Sequence, residues 1–170
     1  MNYSGIITDD VANGPGVRTS LFVSGCRNNC PGCFNPKEQN FSYGVPFTDE
    51  VMDYIVSSVD NPYYSGISIL GGDPMEPENA EALIPFVDKF RNKFGNTKNI
   101  WLFTGYLYEF LNSTNDSRYN LLFSVDVIVD GLFIESEKDL TLKFKGSKNQ
   151  RIIDINKSKL DKFHSPYIIG

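Results

Sequence analysis

The chain has 170 residues, 41% of them hydrophobic and 14% aromatic, enough for one globular domain with a substantial core. Its 16 basic and 21 acidic residues leave a formal net charge of -5, which offers no broad positive field to a nucleic-acid backbone. No stretch approaches the roughly 18 apolar residues of a membrane span, and Met1 to Gly5 lacks a basic-then-apolar leader pattern, so a soluble cytoplasmic protein with neither nucleic-acid nor membrane partners is expected.

Asn13-Gly14-Pro15-Gly16-Val17-Arg18 is a turn-forming run, and Thr19 to Ser24 reads as a buried strand. That strand leads into Cys26-Arg27-Asn28-Asn29-Cys30-Pro31-Gly32-Cys33, which holds all three cysteines of the chain. The cysteine loop therefore begins where a strand ends, the place where ligands gather in folds built on parallel strands. A polar connection from Asn35 to Pro46 follows, and Thr48 then suits a helix N-cap with Asp49 and Glu50 in the first turn. Val51, Ile55 and Val59, with Met52 beside them, mark one apolar face of a short helix that Asn61-Pro62 ends.

Ile67 to Leu70 reads as the second strand, closed by Gly71-Gly72-Asp73-Pro74. Pro77 suits the first position of the next helix, because its missing N–H would have no partner there anyway. Leu83, Val87, Phe90 and Phe94 keep a helical spacing up to Gly95, while Pro85 inside the run predicts a kink or a later start. Ile100 to Phe103 is the third strand, and Leu107, Phe110 and Leu111 suggest a short helix. Val125 to Val129 makes a fourth strand before Asp130-Gly131, and Ile152 to Ile155 a fifth.

This alternation predicts an α/β class, with right-handed crossovers and a mostly parallel sheet. The chain has room for about five or six βα units of roughly 30 residues, fewer than the eight of a closed barrel. The expected organisation is one domain over 1–170, with 1–18 and 156–170 peripheral to it.

Three clustered thiols are a poor disulfide framework and a natural claw for a soft metal. Structural zinc would need a fourth ligand, for which the chain's one histidine, His164, is available far along the sequence. Cys30-Pro31-Gly32-Cys33 could serve as a thiol redox pair. Neither reading uses all three thiols together. A four-iron cluster on three thiolates would leave one iron free for a small-molecule ligand. By residue type alone, Gly71-Gly72-Asp73-Pro74 is an ordinary strand-to-helix turn, and Asp130-Gly131 is a turn or a functional contact. Lys143, Lys145, Lys148 and Arg151 form one modest basic cluster, by residue type alone a solvated surface. Arg18 is either structural or a partner contact.

Cys26-x3-Cys30-x2-Cys33 resembles the cluster motif of the radical S-adenosylmethionine enzymes. The resemblance extends, in order, through Asn13 to Arg18, Gly71 to Pro74, Phe103-Thr104-Gly105-Tyr106, Asp126 to Gly131 and Gly146-Ser147-Lys148-Asn149-Gln150-Arg151. Together these look like the branch that activates anaerobic ribonucleoside-triphosphate reductases. Gly32 stands where the broader superfamily commonly has an aromatic residue, with Phe34 following, as in that branch; Asp73 stands where many relatives have Glu.

The resemblance implies a partial (β/α) barrel of the radical SAM type. It implies a 4Fe-4S cluster on Cys26, Cys30 and Cys33 whose fourth iron binds S-adenosyl-L-methionine. Gly32, Cys33 and Phe34 would lie against the adenosyl portion, and Gly71, Gly72 and Asp73 would receive the methionine amino group. Reductive cleavage would give methionine and a 5'-deoxyadenosyl radical, which takes hydrogen from a glycine of the partner, the large subunit of the anaerobic reductase. No general acid or base is implied, and in this family the basic segment from Lys143 to Arg151 would dock an acidic partner surface or line the cofactor site. A reduced flavodoxin-like protein would donate the electron. Alternatives are the activase of another glycyl-radical enzyme, of formate-lyase type, or a zinc-stabilised interaction module.

Overall fold

The computed structural model describes residues 1–170 and contains one eight-stranded sheet. Its strands are β1 (Asn2–Asp10), β2 (Val17–Val23), β3 (Val45–Pro46), β4 (Tyr64–Gly71), β5 (Asn99–Phe103), β6 (Val127–Asp130), β7 (Arg151–Asp154) and β8 (Tyr167–Ile168). The helices are α1 (Asp49–Ser58), α2 (Pro77–Phe94), α3 (Tyr108–Asn112), α4 (Ser117–Leu122) and α5 (Ile155–Ser158). The spatial order is β3-β1-β2-β4-β5-β6-β7-β8. Only β2, β4, β5 and β6 run parallel, and every outer pairing is antiparallel.

The expected α/β alternation thus describes the four central strands. The sheet is wider than five or six strands because both ends fold back. β1, in a segment expected at the periphery, pairs antiparallel with β2 through two register shifts, and the expected fifth strand turns back antiparallel on β6 as β7. A parallel return needs a long crossover, usually a helix, and residues 131–150 contain only a 3-10 turn at Glu135–Glu137.

Side chains alternate between the two faces of a sheet. Leu21, Ile69, Leu102, Ile128 and Ile153 are successive register neighbours from β2 to β7. They share a core of 25 buried residues with Ile55 of α1, Leu83, Phe86 and Phe90 of α2, and Leu121 of α4. The helices therefore cover one face. Phe22, Leu70, Phe103 and Val129 point to the other face, which lines a cavity.

Thr48 caps α1 as expected, its Oγ1 accepting from the Val51 N–H at 3.4 Å. Met52, Ile55 and Val56 are the buried residues of that helix, and Val51 is half-buried. α2 starts at Pro77 and continues through Pro85 to Phe94. Glu81 and Pro85 are both exposed, so the carbonyl that loses its N–H partner to the proline is open to water. In α3 the buried residues are Tyr108 and Leu111, while Leu107 and Phe110 are exposed. This single turn is too short for periodicity to orient, and the unforeseen α4 packs beside it.

Arg18 is fully buried, which makes it a structural residue. Its guanidinium donates to Ser68 Oγ at 2.8 Å and to the carbonyls of Pro15 and Ile67 at 3.1 and 2.6 Å. Burial pushes its pKa down to about 10, against the pull of Asp10 and Asp126. These bonds hold the Asn13 to Gly16 turn onto the sheet.

Candidate functional site

The segments at the carboxyl ends of β2, β4, β5 and β6 open on one cavity of about 530 Å³, a volume suited to a cofactor-sized molecule. Cys26, Cys30 and Cys33 line it beyond β2. Gly71, Gly72 and Asp73 line it at β4, Thr104 and Gly105 at β5, and Gly131 at β6. The connection after β6 supplies a further wall that includes Phe133, Phe144 and Lys145.

The cysteine loop has no helix or strand of its own. Its entry is fixed by backbone bonds from Gly25 and Cys26 to the carbonyls of Glu38 and Gln39. Asn29 and Gly32 take positive φ values of 48° and 71°, which Asn tolerates and Gly adopts freely, so the chain can turn between successive cysteines. The Cys33 N–H closes the last turn on the Cys30 carbonyl at 3.1 Å. Gly32 sits on that turn outside the cavity wall, and an added Cβ there would strike Glu135. Phe34 does line the cavity and packs on Phe133 with ring centroids 4.8 Å apart.

At the end of β4, Gly71 and Gly72 are dictated by close approach. A Cβ on Gly72 would lie 2.6 Å from the Gly25 carbonyl oxygen and 2.7 Å from that of Glu38. The turn is thereby pressed against the start of the cysteine loop, and the Asp73 N–H donates to the Gly25 carbonyl at 2.8 Å. Asp73 is buried, and its carboxylate accepts four bonds from within the chain. Met75 N–H and Thr104 Oγ1 donate to Oδ1 at 2.9 and 2.8 Å, and Asn28 Nδ2 and Gly105 N–H donate to Oδ2 at 3.0 and 2.9 Å. That occupies the roughly four acceptor positions of a carboxylate. Burial pushes the carboxyl up to about 6, opposed by the Gly105 and Met75 N–H groups and the Thr104 hydroxyl.

Burial likewise pushes the Cys26 thiol up to about 12, and Asp73 and Glu76 add to the effect. Cys30 is raised by burial too. The three thiols share the cavity, yet no three His, Cys, Asp or Glu side chains converge at the spacing of a single metal ion. His164 packs on Phe123 in the C-terminal segment and is not part of the cavity wall, so the one histidine available to the zinc alternative does not join the cysteines.

The basic cluster divides. Arg151 forks onto Glu109 and also bonds the buried Asp130, whose Oδ2 accepts from the Tyr108 N–H at 2.8 Å, so Asp130 is structural. Lys143 and Lys148 are exposed, and Lys145 alone lines the cavity, donating to the Gln150 carbonyl at 3.1 Å. Gln150 gathers the Gly146 and Ser147 N–H groups and the Gly131 carbonyl, which folds the 131–150 connection back over the site. Residues overlooked in the sequence are Arg27 and Asn28, whose signal was polarity between metal-spaced cysteines, and Glu76, which carried none.

A family model described as a 4Fe-4S single cluster domain matches residues 12–153. The chain is 41% identical over 154 residues to an anaerobic ribonucleoside-triphosphate reductase-activating protein of Vibrio cholerae, covering 89% of this chain and 97% of that one. Proteins of the same name from Escherichia coli K12 and bacteriophage T4 are each 38% identical, covering 88% and 89% of this chain and 96% and 93% of their own. No helix is long and apolar enough to cross a membrane. With the three cysteines, the glycine turn and nearly the whole chain inside these matches, the chain belongs to the family of anaerobic ribonucleoside-triphosphate reductase-activating proteins, iron-sulfur enzymes of the radical S-adenosylmethionine type.

Proposed function

We propose that this protein generates the glycyl radical of an anaerobic ribonucleoside-triphosphate reductase. One observation carries the reading: the three thiols and the Gly71-Gly72-Asp73 turn face one cavity at the carboxyl ends of parallel strands. Cys26, Cys30 and Cys33 would hold a 4Fe-4S cluster, which would supply the one-electron cleavage of S-adenosyl-L-methionine to methionine and a 5'-deoxyadenosyl radical, the chemistry needed to take hydrogen from a glycine of the reductase large subunit. The donor set suits a cluster better than a lone ion. Cluster thiolates bind separate irons, so sulfurs that share a wall without meeting at one point are appropriate, whereas zinc needs its ligands on one centre.

The chain's own residues bind, orient and shield. Cys33 and Phe34 lie where the adenosyl portion is held, with Gly32 shaping the turn. The glycine turn receives the methionine amino group through its backbone carbonyls, because the oxygens of Asp73 are occupied by the Met75 and Gly105 N–H groups, the Thr104 hydroxyl and the Asn28 amide. Phe22, Leu70, Phe103 and Val129 keep water from a reactive radical. We read the four parallel strands as the wall of a partial (β/α) barrel of radical SAM type, whose open side admits a glycine loop. In the cytoplasm the electron comes from a reduced flavodoxin-like donor.

The test is anaerobic reconstitution with iron and sulfide, followed by mixing with the reductase, S-adenosylmethionine and reductant. A glycyl radical detected on the reductase by electron paramagnetic resonance is expected. Cofactor cleavage without that radical would move the assignment to another glycyl-radical enzyme, of formate-lyase type. One zinc per chain without sulfide would move it to a zinc-stabilised interaction module.

A further inference from the structure

The irregular cysteine loop depends for its shape on what grips it, and its grip on α2 is concentrated at Arg27, next to Cys26. The Arg27 backbone N–H donates to Glu76 Oε1 at 2.8 Å, and its guanidinium donates to Oε2 of the same carboxylate. The guanidinium also forks onto Glu78 and lies 4.5 Å from the ring centroid of Phe41. Glu76 occupies the N-cap of an 18-residue helix, yet its side chain makes no capping bond. It is fully buried, and its salt-bridge partner is Arg27. A buried carboxylate requires a compensating charge.

We propose that Arg27 and Glu76 form a clamp that sets the position of the cysteine loop and so governs how firmly the cluster is held. The proposal rests on the cluster reading given above. Both are positioning residues, acting through the backbone of Cys26 and its neighbours. The clamp joins the residue after Cys26 to the helix that begins just beyond the glycine turn, and so extends into the cysteine loop the hold that Asp73 and Asn79 have on Ser24 and Gly25 at its entry. Asn28 makes a parallel connection through Asp73. The side chain of Arg27 is 55% exposed and that of Glu76 is 0% exposed. The cation can leave into water and the carboxylate cannot, so loss of Arg27 leaves a buried charge beside the cysteine loop without its ion-pair partner.

The test reconstitutes wild type, Arg27→Ala, Arg27→Lys and the double variant Arg27→Ala/Glu76→Gln, with Lys89→Ala as a control that removes the surface pair with Asp53. Iron release to a chelator is followed, and the Tm of each apoprotein is measured alongside. Arg27→Ala is expected to release iron about tenfold faster, the size of effect that outer partners of metal ligands commonly have. Arg27→Lys restores most of the wild-type rate by keeping a charge on Glu76. The double variant recovers part of it, because no orphan charge remains. Lys89→Ala releases iron at the wild-type rate. A wild-type rate in Arg27→Ala, a loss in Arg27→Lys as large as in Arg27→Ala, or release rates that merely track apoprotein Tm would overturn the clamp. Wild-type protein that holds no iron and sulfide after reconstitution would remove the cluster reading, and the clamp with it.

Discussion

Thr104 donates its hydroxyl to the Asp73 carboxylate across 2.8 Å, which ties the loop after β5 to the loop after β4. Asn28 donates to the same carboxylate from the cysteine loop, so three strand ends meet on one buried side chain. The cavity's shape is therefore set by a polar hub as well as by packing.

Asp73→Asn puts an NH2 group in place of an acceptor oxygen, which leaves two of the four donors without a partner. Urea unfolding of the apoprotein is expected to show a loss of about 2 kcal/mol, from unpaired buried groups. An unchanged midpoint would show that the hub is dispensable.

Gly72→Ala introduces a Cβ within 2.6 to 2.9 Å of Gly25 and Glu38 backbone atoms, which cannot rotate away. Overpacking of this kind costs about 1–3 kcal/mol. Gly5 has open space around its Cβ direction, so Gly5→Ala should stay within about 0.5 kcal/mol. Thermal melts of the two variants side by side check the contrast.

Arg18→Ala removes the largest fully buried side chain and the donors to Ser68, Pro15 and Ile67. The expected loss is about 3 kcal/mol or more, from a cavity combined with unsatisfied carbonyls. A mild effect in denaturant titration would mean that the NGPG turn holds itself.

Glu109 carries a pH prediction. Its hydrogen bonds from Arg151 hold its carboxyl below the ordinary value of 4.5. A carboxyl with a lowered folded pKa adds stability above its unfolded pKa, and this is lost as pH falls through the folded one. The Tm advantage of wild type over Glu109→Gln should thus be full above about pH 5 and fade on acidification. Because Glu109 is half exposed, the plateau should be worth no more than about 1 kcal/mol. An advantage that grows toward acid would contradict the ion pair.

Cys26→Ala should abolish stable iron binding, whereas His164→Ala should leave iron and sulfide content unchanged, because His164 lies on Phe123 outside the cavity. Iron and sulfide analysis after anaerobic reconstitution distinguishes the two.

The chain's chemistry was legible in its sequence because it is local. Cys26, Cys30 and Cys33 lie within eight positions, Gly71 to Pro74 are contiguous, and the central strands announce themselves as short apolar runs between turns. Thr48 and Pro77 mark helix starts through one or two residues each. What escaped depends on partners distant in sequence. β1 is interrupted by Gly5 and two register shifts, and β7 takes its antiparallel direction from the absence of a crossover helix rather than from its own residues. Arg18, Asp130 and Arg151 look alike as candidate contacts until burial and pairing separate them, and Asp73 passes for a free carboxylate until Asn28, Thr104 and Gly105 are brought to it. Sequence determined which groups can react. Only the tertiary structure decided which of them are already occupied by the chain itself, since a hydrogen bond or a charge is satisfied by proximity in space, to which sequence distance is no guide.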